Sequence, residues 1–148
     1  MKNSKQKCLL FFCYRQEKPI QVYSSINMNI LIFCHFGLNR SQYLVQYLLE
    51  KGYRDVHSAG VKDPDHAKIQ RAIDHADIII TVSHHVRDSL RDQYQLNGKR
   101  MIDLQVEDRP EVVLPDHRQL EGDDWLAFQQ KYVYPALKEQ LSSYLPFS

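Results

Sequence analysis

Cys34 is followed by His35-Phe36-Gly37-Leu38-Asn39 and then by Arg40 and Ser41. A cysteine, an arginine six positions on and a hydroxyl beside it can do phosphoryl chemistry if the intervening backbone curls round a tetrahedral anion with its N–H groups turned inward. His35, Phe36, Gly37, Leu38, Asn39, Arg40 and Ser41 are then the phosphate-binding loop, with the guanidinium of Arg40 closing the ring as a planar, bidentate donor. A field that holds a phosphate also holds a thiolate, and cysteine pKa values fall to roughly 3.5–7.5 at such sites. Cys34 is therefore a candidate nucleophile beside an electrophilic phosphorus. Gly37 allows a positive φ or a close backbone approach, and Asn39 is a residue type that tolerates the left-handed region. Taken singly, a cysteine is more often a small buried hydrophobe and an arginine a surface charge; it is their coincidence at one turn that favours a phosphate site.

That turn needs a strand before it and a helix after it. Asn29 to Phe33 reads as the strand, and Leu44, Val45, Leu48 and Leu49 recur at helical spacing until Gly52, which suits a C′ position. A short strand around Asp55 to His57 runs into Ser58-Ala59-Gly60. Ile69, Ala72, Ile73 and Ala76 then mark a second helix, with Pro64 acceptable in its first turn. Ile78-Ile79-Ile80-Thr81-Val82 is a β-branched strand. Val86, Leu90 and Tyr94 mark a third helix that Asn97-Gly98 would end, and Lys99 to Leu104 reads as a fourth strand. Gln105 to Gly122, with Pro110 and Pro115 and no clear period, reads as a long loop, a feature usually functional in compact domains. Trp125, Phe128, Tyr132, Leu137, Leu141 and Tyr144 outline a last apolar helix that Pro135 should kink or divide.

Strands alternating with helices predict an α/β fold, a four-stranded parallel sheet flanked by helices as a three-layer sandwich. Ligands of such sheets bind beyond the carboxyl ends of the strands. The Cys34 loop, Ser58-Ala59-Gly60, Ser83-His84-His85 and the Gln105 to Gly122 loop should therefore meet at one edge.

The chain has 148 residues, the length of one domain, and its 19 lysines and arginines nearly balance 18 acids. No global field would gather nucleic acid or an anionic membrane, so neither is expected as a partner. Cys8, Cys13 and Cys34 have neither metal-ligand nor disulfide-framework spacing, which suits a reducing cytoplasm. Residues 1–27 differ in character: Cys8 to Tyr14 is an apolar patch far shorter than the roughly 20 residues that span a membrane. Met28 directly precedes the first good strand, so residues 1–27 are read as a dispensable or disordered extension, or the product of a mis-set start. His84-His85 makes a poor zinc site, because adjacent rings cannot both face one way and no third ligand sits at the right spacing. No metal or cofactor is expected.

Cys34 to Ser41 after the first strand, Ser58-Ala59-Gly60 after the second, Ala76-Asp77-Ile78-Ile79 opening the third and Gly98-Lys99-Arg100 before the fourth resemble the low-molecular-weight protein tyrosine phosphatase family, and its short bacterial and archaeal members in particular. The resemblance covers about residues 28–110 and makes 28–148 a phosphatase-like domain. The larger tyrosine and dual-specificity phosphatases share the cysteine and arginine spacing but carry their acid aspartate upstream, and this chain has no aspartate before Asp55. The resemblance implies that Cys34 forms a phosphocysteine and that Arg40 and the loop amides stabilise the equatorial oxygens. It also implies that Ser41 donates to the sulfur, with helix N-capping as its alternative role, and that a downstream aspartic acid protonates the leaving phenolate. Asp108 is the preferred acid, with Asp116, Glu107 and Asp123 as alternatives; Asp63-Pro64 resembles a helix start, and Asp123 or Asp124 could cap the last helix. Phe36 or His84-His85 could line the entrance, Phe36 having a core position as its equal alternative. The implied substrates are phosphorylated proteins or small phosphomonoesters.

Three rivals remain. A phosphocarrier similar to the sugar-transport IIB subunits also places a cysteine after a first parallel strand, but with small hydroxyl residues where this chain has Arg40. Arsenate reduction needs downstream thiols, and none follows Cys34. The third is a catalytically silent phosphate binder.

Overall fold

The computed structural model describes residues 27–148; Cys8, Cys13 and the proposed extension up to residue 26 lie outside the described residues. Four strands, β1 (Asn29–Cys34), β2 (Asp55–Gly60), β3 (Ile78–Thr81) and β4 (Arg100–Asp103), form one sheet in the order β2-β1-β3-β4. Every pairing is parallel. The chain is thus α/β with an all-parallel sheet. Ile30 to Cys34 of β1 and all four residues of β3 are buried, so both faces of the central strands are covered, which explains their continuous rather than alternating apolar character.

Helices α1 (Arg40–Glu50), α2 (His66–His75) and α3 (His84–Gln93) connect successive strands. Beyond β4 come the short α4 (Pro110–Val113), α5 (Gly122–Phe128), a π-helical segment (Gln129–Val133) and α6 (Tyr134–Ser142). Helix α1 packs on β1 and β2 and against α6, while α2 contacts β1 and α3 contacts β3. No helix among the described residues is long and apolar enough to cross a membrane.

Several boundaries differ from the sequence expectation, each for a local reason. Pro64 is outside α2, because the Asp65 side chain accepts from the Lys68 amide at 3.0 Å and starts the helix one residue after itself. Tyr94 lies just past α3 in extended backbone, and Asn97 and Gly98, at φ 50° and 70°, turn the chain beyond the helix rather than ending it. The expected loop after β4 contains α4, with Pro110 in its first turn. Neither Asp123 nor Asp124 caps α5: Glu121 is the N-cap residue and no side chain bonds there.

The C-terminal helix changes winding instead of dividing. Proline donates no N–H and its ring excludes the carbonyl four residues back. The wider π turn immediately before Pro135 is where the ladder loses that bond. The extra residue in the turn also rotates the buried face: Gln129, Val133, Leu137 and Leu141 are buried, whereas Tyr132 and Tyr144 are exposed.

Because all strands run the same way, Cys34, Gly60, Thr81 and Asp103 end at one edge of the sheet. There the loop after β1 lies directly against the end of β2. Gly37 takes φ +74°, and a Cβ on Gly60 would come within 2.5 Å of the Phe36 carbonyl carbon, so glycine at position 60 is required by close backbone approach. The Val61 amide donates to the Cys34 carbonyl at 3.0 Å and the Lys62 amide to that of His35 at 2.9 Å. Ser58-Ala59-Gly60 is therefore the last stretch of a strand, and it backs the loop.

Candidate active site

Cys34 is the last residue of β1 and only 4% exposed. Its Sγ lies 3.1 Å from Ser41 Oγ and accepts from the Gly37 amide at 3.1 Å. The amides of Asn39 and Ser41 also face the sulfur. Burial alone would push the thiol up, but the Ser41 hydroxyl and these amides together bring it below its ordinary value. Iodoacetamide alkylation of Cys34 in the folded chain should therefore reach its half-maximal rate at lower pH than in the denatured chain, since the more acidic thiol is already thiolate there. Identical midpoints, followed by mass mapping of the labelled peptide, would contradict this electrostatic picture.

Ser41 is fully buried as the second residue of α1, so its hydroxyl serves the sulfur and not the helix cap. The N-cap residue is Asn39, at φ −120° and ψ −88°, outside the left-handed region expected for it and with no capping bond from its side chain. The positive φ of the loop falls on Gly37 alone.

Arg40 opens α1 and is 3% exposed. Its Nε pairs with Asp108 Oδ2 at 3.1 Å and its Nη1 donates to the Val106 carbonyl at 2.9 Å. Asp108 reaches this position because the chain leaving β4 stays registered with the end of β3: the Leu104 and Val106 amides donate to the carbonyls of Thr81 and Val82 at 2.8 and 3.0 Å. His35, Arg40, Ser83, His85, Glu107, Asp108 and Arg109 line a cavity of about 450 Å³. Burial first, and then the charge of Arg40, push His35 below its ordinary value, favouring the neutral ring.

The alternative acids are placed differently. Glu107 accepts from Arg109 Nε and Nη2 at 2.8 Å each and from the Arg109 and Asp108 amides. The Arg109 hydrogen bonds outweigh partial burial and hold its carboxyl down at about 2, which suits a fixed carboxylate and not a proton donor near neutrality. Asp116 pairs with Arg118 at 3.5 Å and Asp123 is exposed; neither lines the cavity. Asp63 bonds Lys68 Nζ and the Asp65 amide at the entry to α2.

Phe36 and Leu38 are 72% and 78% exposed, so Phe36 is not a core residue, and neither of the two lines this cavity. Of the paired histidines, His85 lines the cavity while His84 Nδ1 meets Gln105 Nε2 at 2.8 Å. Ser58 does not line this cavity; its hydroxyl donates to the Gly37 carbonyl at 3.3 Å and accepts from Gln42 Nε2 at 2.7 Å.

Two residues that the sequence did not single out join the site. Gln129, fully buried, and Tyr134 both bond the Asn39 side chain. Tyr134 carried a signal in its spacing of three and seven from Leu137 and Leu141, whereas Gln129, a polar residue, carried none in the apolar pattern. Compared with known protein families, curated proteins and solved structures, the chain shows no significant match to any.

Proposed function

We propose that this chain is a phosphomonoester hydrolase that works through a phosphocysteine on Cys34 and acts on phosphorylated protein, phosphotyrosine first, or on small phosphomonoesters. The fold is read with it as a three-layer sandwich similar to that of the low-molecular-weight phosphatases. The observation that carries the reading is the Cys34 sulfur, met at 3.1 Å by both the Ser41 hydroxyl and the Gly37 amide inside a loop that ends on Arg40. Donors converging on a sulfur stabilise it as attacking and as departing thiolate.

In the first step a sulfur electron pair forms the S–P bond while the ester P–O bond breaks. Its electron pair goes to the leaving oxygen, which takes a proton from Asp108. Arg40 and the inward amides hold the three equatorial oxygens as charge develops on them. In the second step water attacks phosphorus, gives its proton to Asp108, and the S–P bond breaks to return the thiolate. His35 and His85, which line the cavity beside Arg40 and Asp108, are the ring side chains placed to meet a phenyl group there.

Arg40 favours hydrolysis over phosphate carriage, since a fixed guanidinium stabilises the transferring group most as charge develops on it. The test is turnover of phenyl phosphate by the purified chain: release of many equivalents of phosphate per chain, lost in Cys34→Ser, supports a hydrolase. Release that stops at one equivalent identifies a carrier, and no reaction identifies a silent binder.

A further inference from the structure

The candidate acid sits on a loop with no regular structure of its own at Asp108, yet a general acid has to be held within a fraction of an ångström of its working place. A chain of side-chain hydrogen bonds runs from that loop to the helix that opens on Arg40. Gln129 Nε2 donates to the Asp108 carbonyl at 3.1 Å, and Gln129 Oε1 accepts from Asn39 Nδ2 at 2.9 Å. Asn39 Oδ1 accepts from the Tyr134 hydroxyl, whose ring stacks on Tyr43 with centroids 4.3 Å apart.

The direction of this chain is forced. A carbonyl can only accept, so Gln129 must turn its NH₂ toward Asp108 and its oxygen toward Asn39. Asn39 must then present its own NH₂, leaving its oxygen for the Tyr134 hydroxyl. Gln129 thus joins the Asp108 loop through one end of its amide and the phosphate-loop residue Asn39 through the other, and it is fully buried, where an unpaired amide would be costly. Gln129 is also the first residue of the π segment, a kind of irregularity found frequently at functional sites.

We propose that Gln129, with Asn39 and Tyr134, is a positioning relay that sets Asp108 against the Cys34–Arg40 loop. The proposal rests on the phosphatase reading above and adds residues that touch neither substrate nor sulfur through their side chains. Its function is geometric: it fixes where the Asp108 proton is delivered, with the Asn39 side chain of the phosphate loop as its anchor.

The experiment compares Gln129→Met, which keeps the volume and removes both polar ends, with Tyr134→Phe, which removes one hydroxyl and keeps the stack on Tyr43. kcat and KM are measured on phenyl phosphate and on para-nitrophenyl phosphate, with inorganic phosphate as competitive inhibitor. The relay predicts a kcat loss of roughly 10- to 100-fold on phenyl phosphate for Gln129→Met, a much smaller loss on the better leaving group, and an unchanged phosphate inhibition constant. Tyr134→Phe should show the same pattern more weakly, and it carries the test if Gln129→Met does not fold. Equal losses on both esters, or an effect confined to KM or to phosphate inhibition, would overturn the relay while leaving the phosphatase reading intact. A wild-type chain inert toward both esters would overturn the phosphatase reading, and the relay with it.

Discussion

Cys34→Ser is expected to lower phenyl phosphate turnover by roughly 10⁴- to 10⁶-fold, the scale seen when a covalent nucleophile is removed from a site that keeps its other parts. The serine hydroxyl is far less acidic than the thiol, whose proton is already loosened by Ser41 and the loop amides. It also forms a stronger bond to phosphorus than sulfur does and would leave poorly in the second step. The cradle should survive, because the substitution leaves the Arg40 contacts to Asp108 and Val106 in place. Inorganic phosphate should thus still bind, as isothermal calorimetry would show. Loss of phosphate binding together with turnover would mean that the variant had collapsed the loop and not simply lost its nucleophile. A variant retaining wild-type rates would exclude covalent catalysis at Cys34.

Asp108→Asn should cost about 10²–10⁴-fold in kcat on phenyl phosphate, the usual contribution of a positioned general acid. The phenolate leaving group has a conjugate acid that titrates near 10, so without a proton its departure is slow. The deficit should shrink for para-nitrophenyl phosphate, which tolerates departure as the anion. Asparagine keeps an oxygen that can accept from Arg40 Nε, so the guanidinium stays held and the effect falls on the proton, not on the cradle. Asp116→Asn, whose carboxylate faces Arg118 away from the cavity, should change little. A loss independent of the leaving group would remove Asp108 as the acid, and a large leaving-group-dependent loss in Asp116→Asn would move that role there.

The parts of this arrangement that were legible in the sequence are those written in consecutive residues. Ile30 to Phe33 and Ile78 to Ile80 announce buried parallel strands because both of their faces are covered, and Cys34 to Ser41 are consecutive residues whose Ser41 hydroxyl and Gly37 amide meet the Cys34 sulfur. The parallel sheet follows from the alternation of strands and helices. The meeting of Asp108 with Arg40 depends on the registration of residues 104–106 with the end of β3, which no local pattern records. Gln129 was hidden for a different reason. A stripe drawn through Trp125, Phe128 and Tyr132 assigns position 129 to no particular role, whereas the buried face of this segment runs through Gln129, Val133, Leu137 and Leu141. For Phe36 the sequence left a core place and a place at the entrance as equal alternatives, and the chain takes neither: beside the turn at Gly37 it is exposed and outside the cavity lining.

The most direct test of the account is to look for the covalent intermediate. The wild-type chain turning over phenyl phosphate is quenched rapidly in denaturant, digested and mapped by mass spectrometry, with Cys34→Ser treated in parallel. One phosphoryl group is expected on the peptide containing Cys34, localised to that residue, formed fast enough to lie on the turnover path and absent from the variant. A wild-type chain that hydrolyses the ester with Cys34 unmodified throughout, or that carries the phosphoryl group on His35 instead, would contradict it.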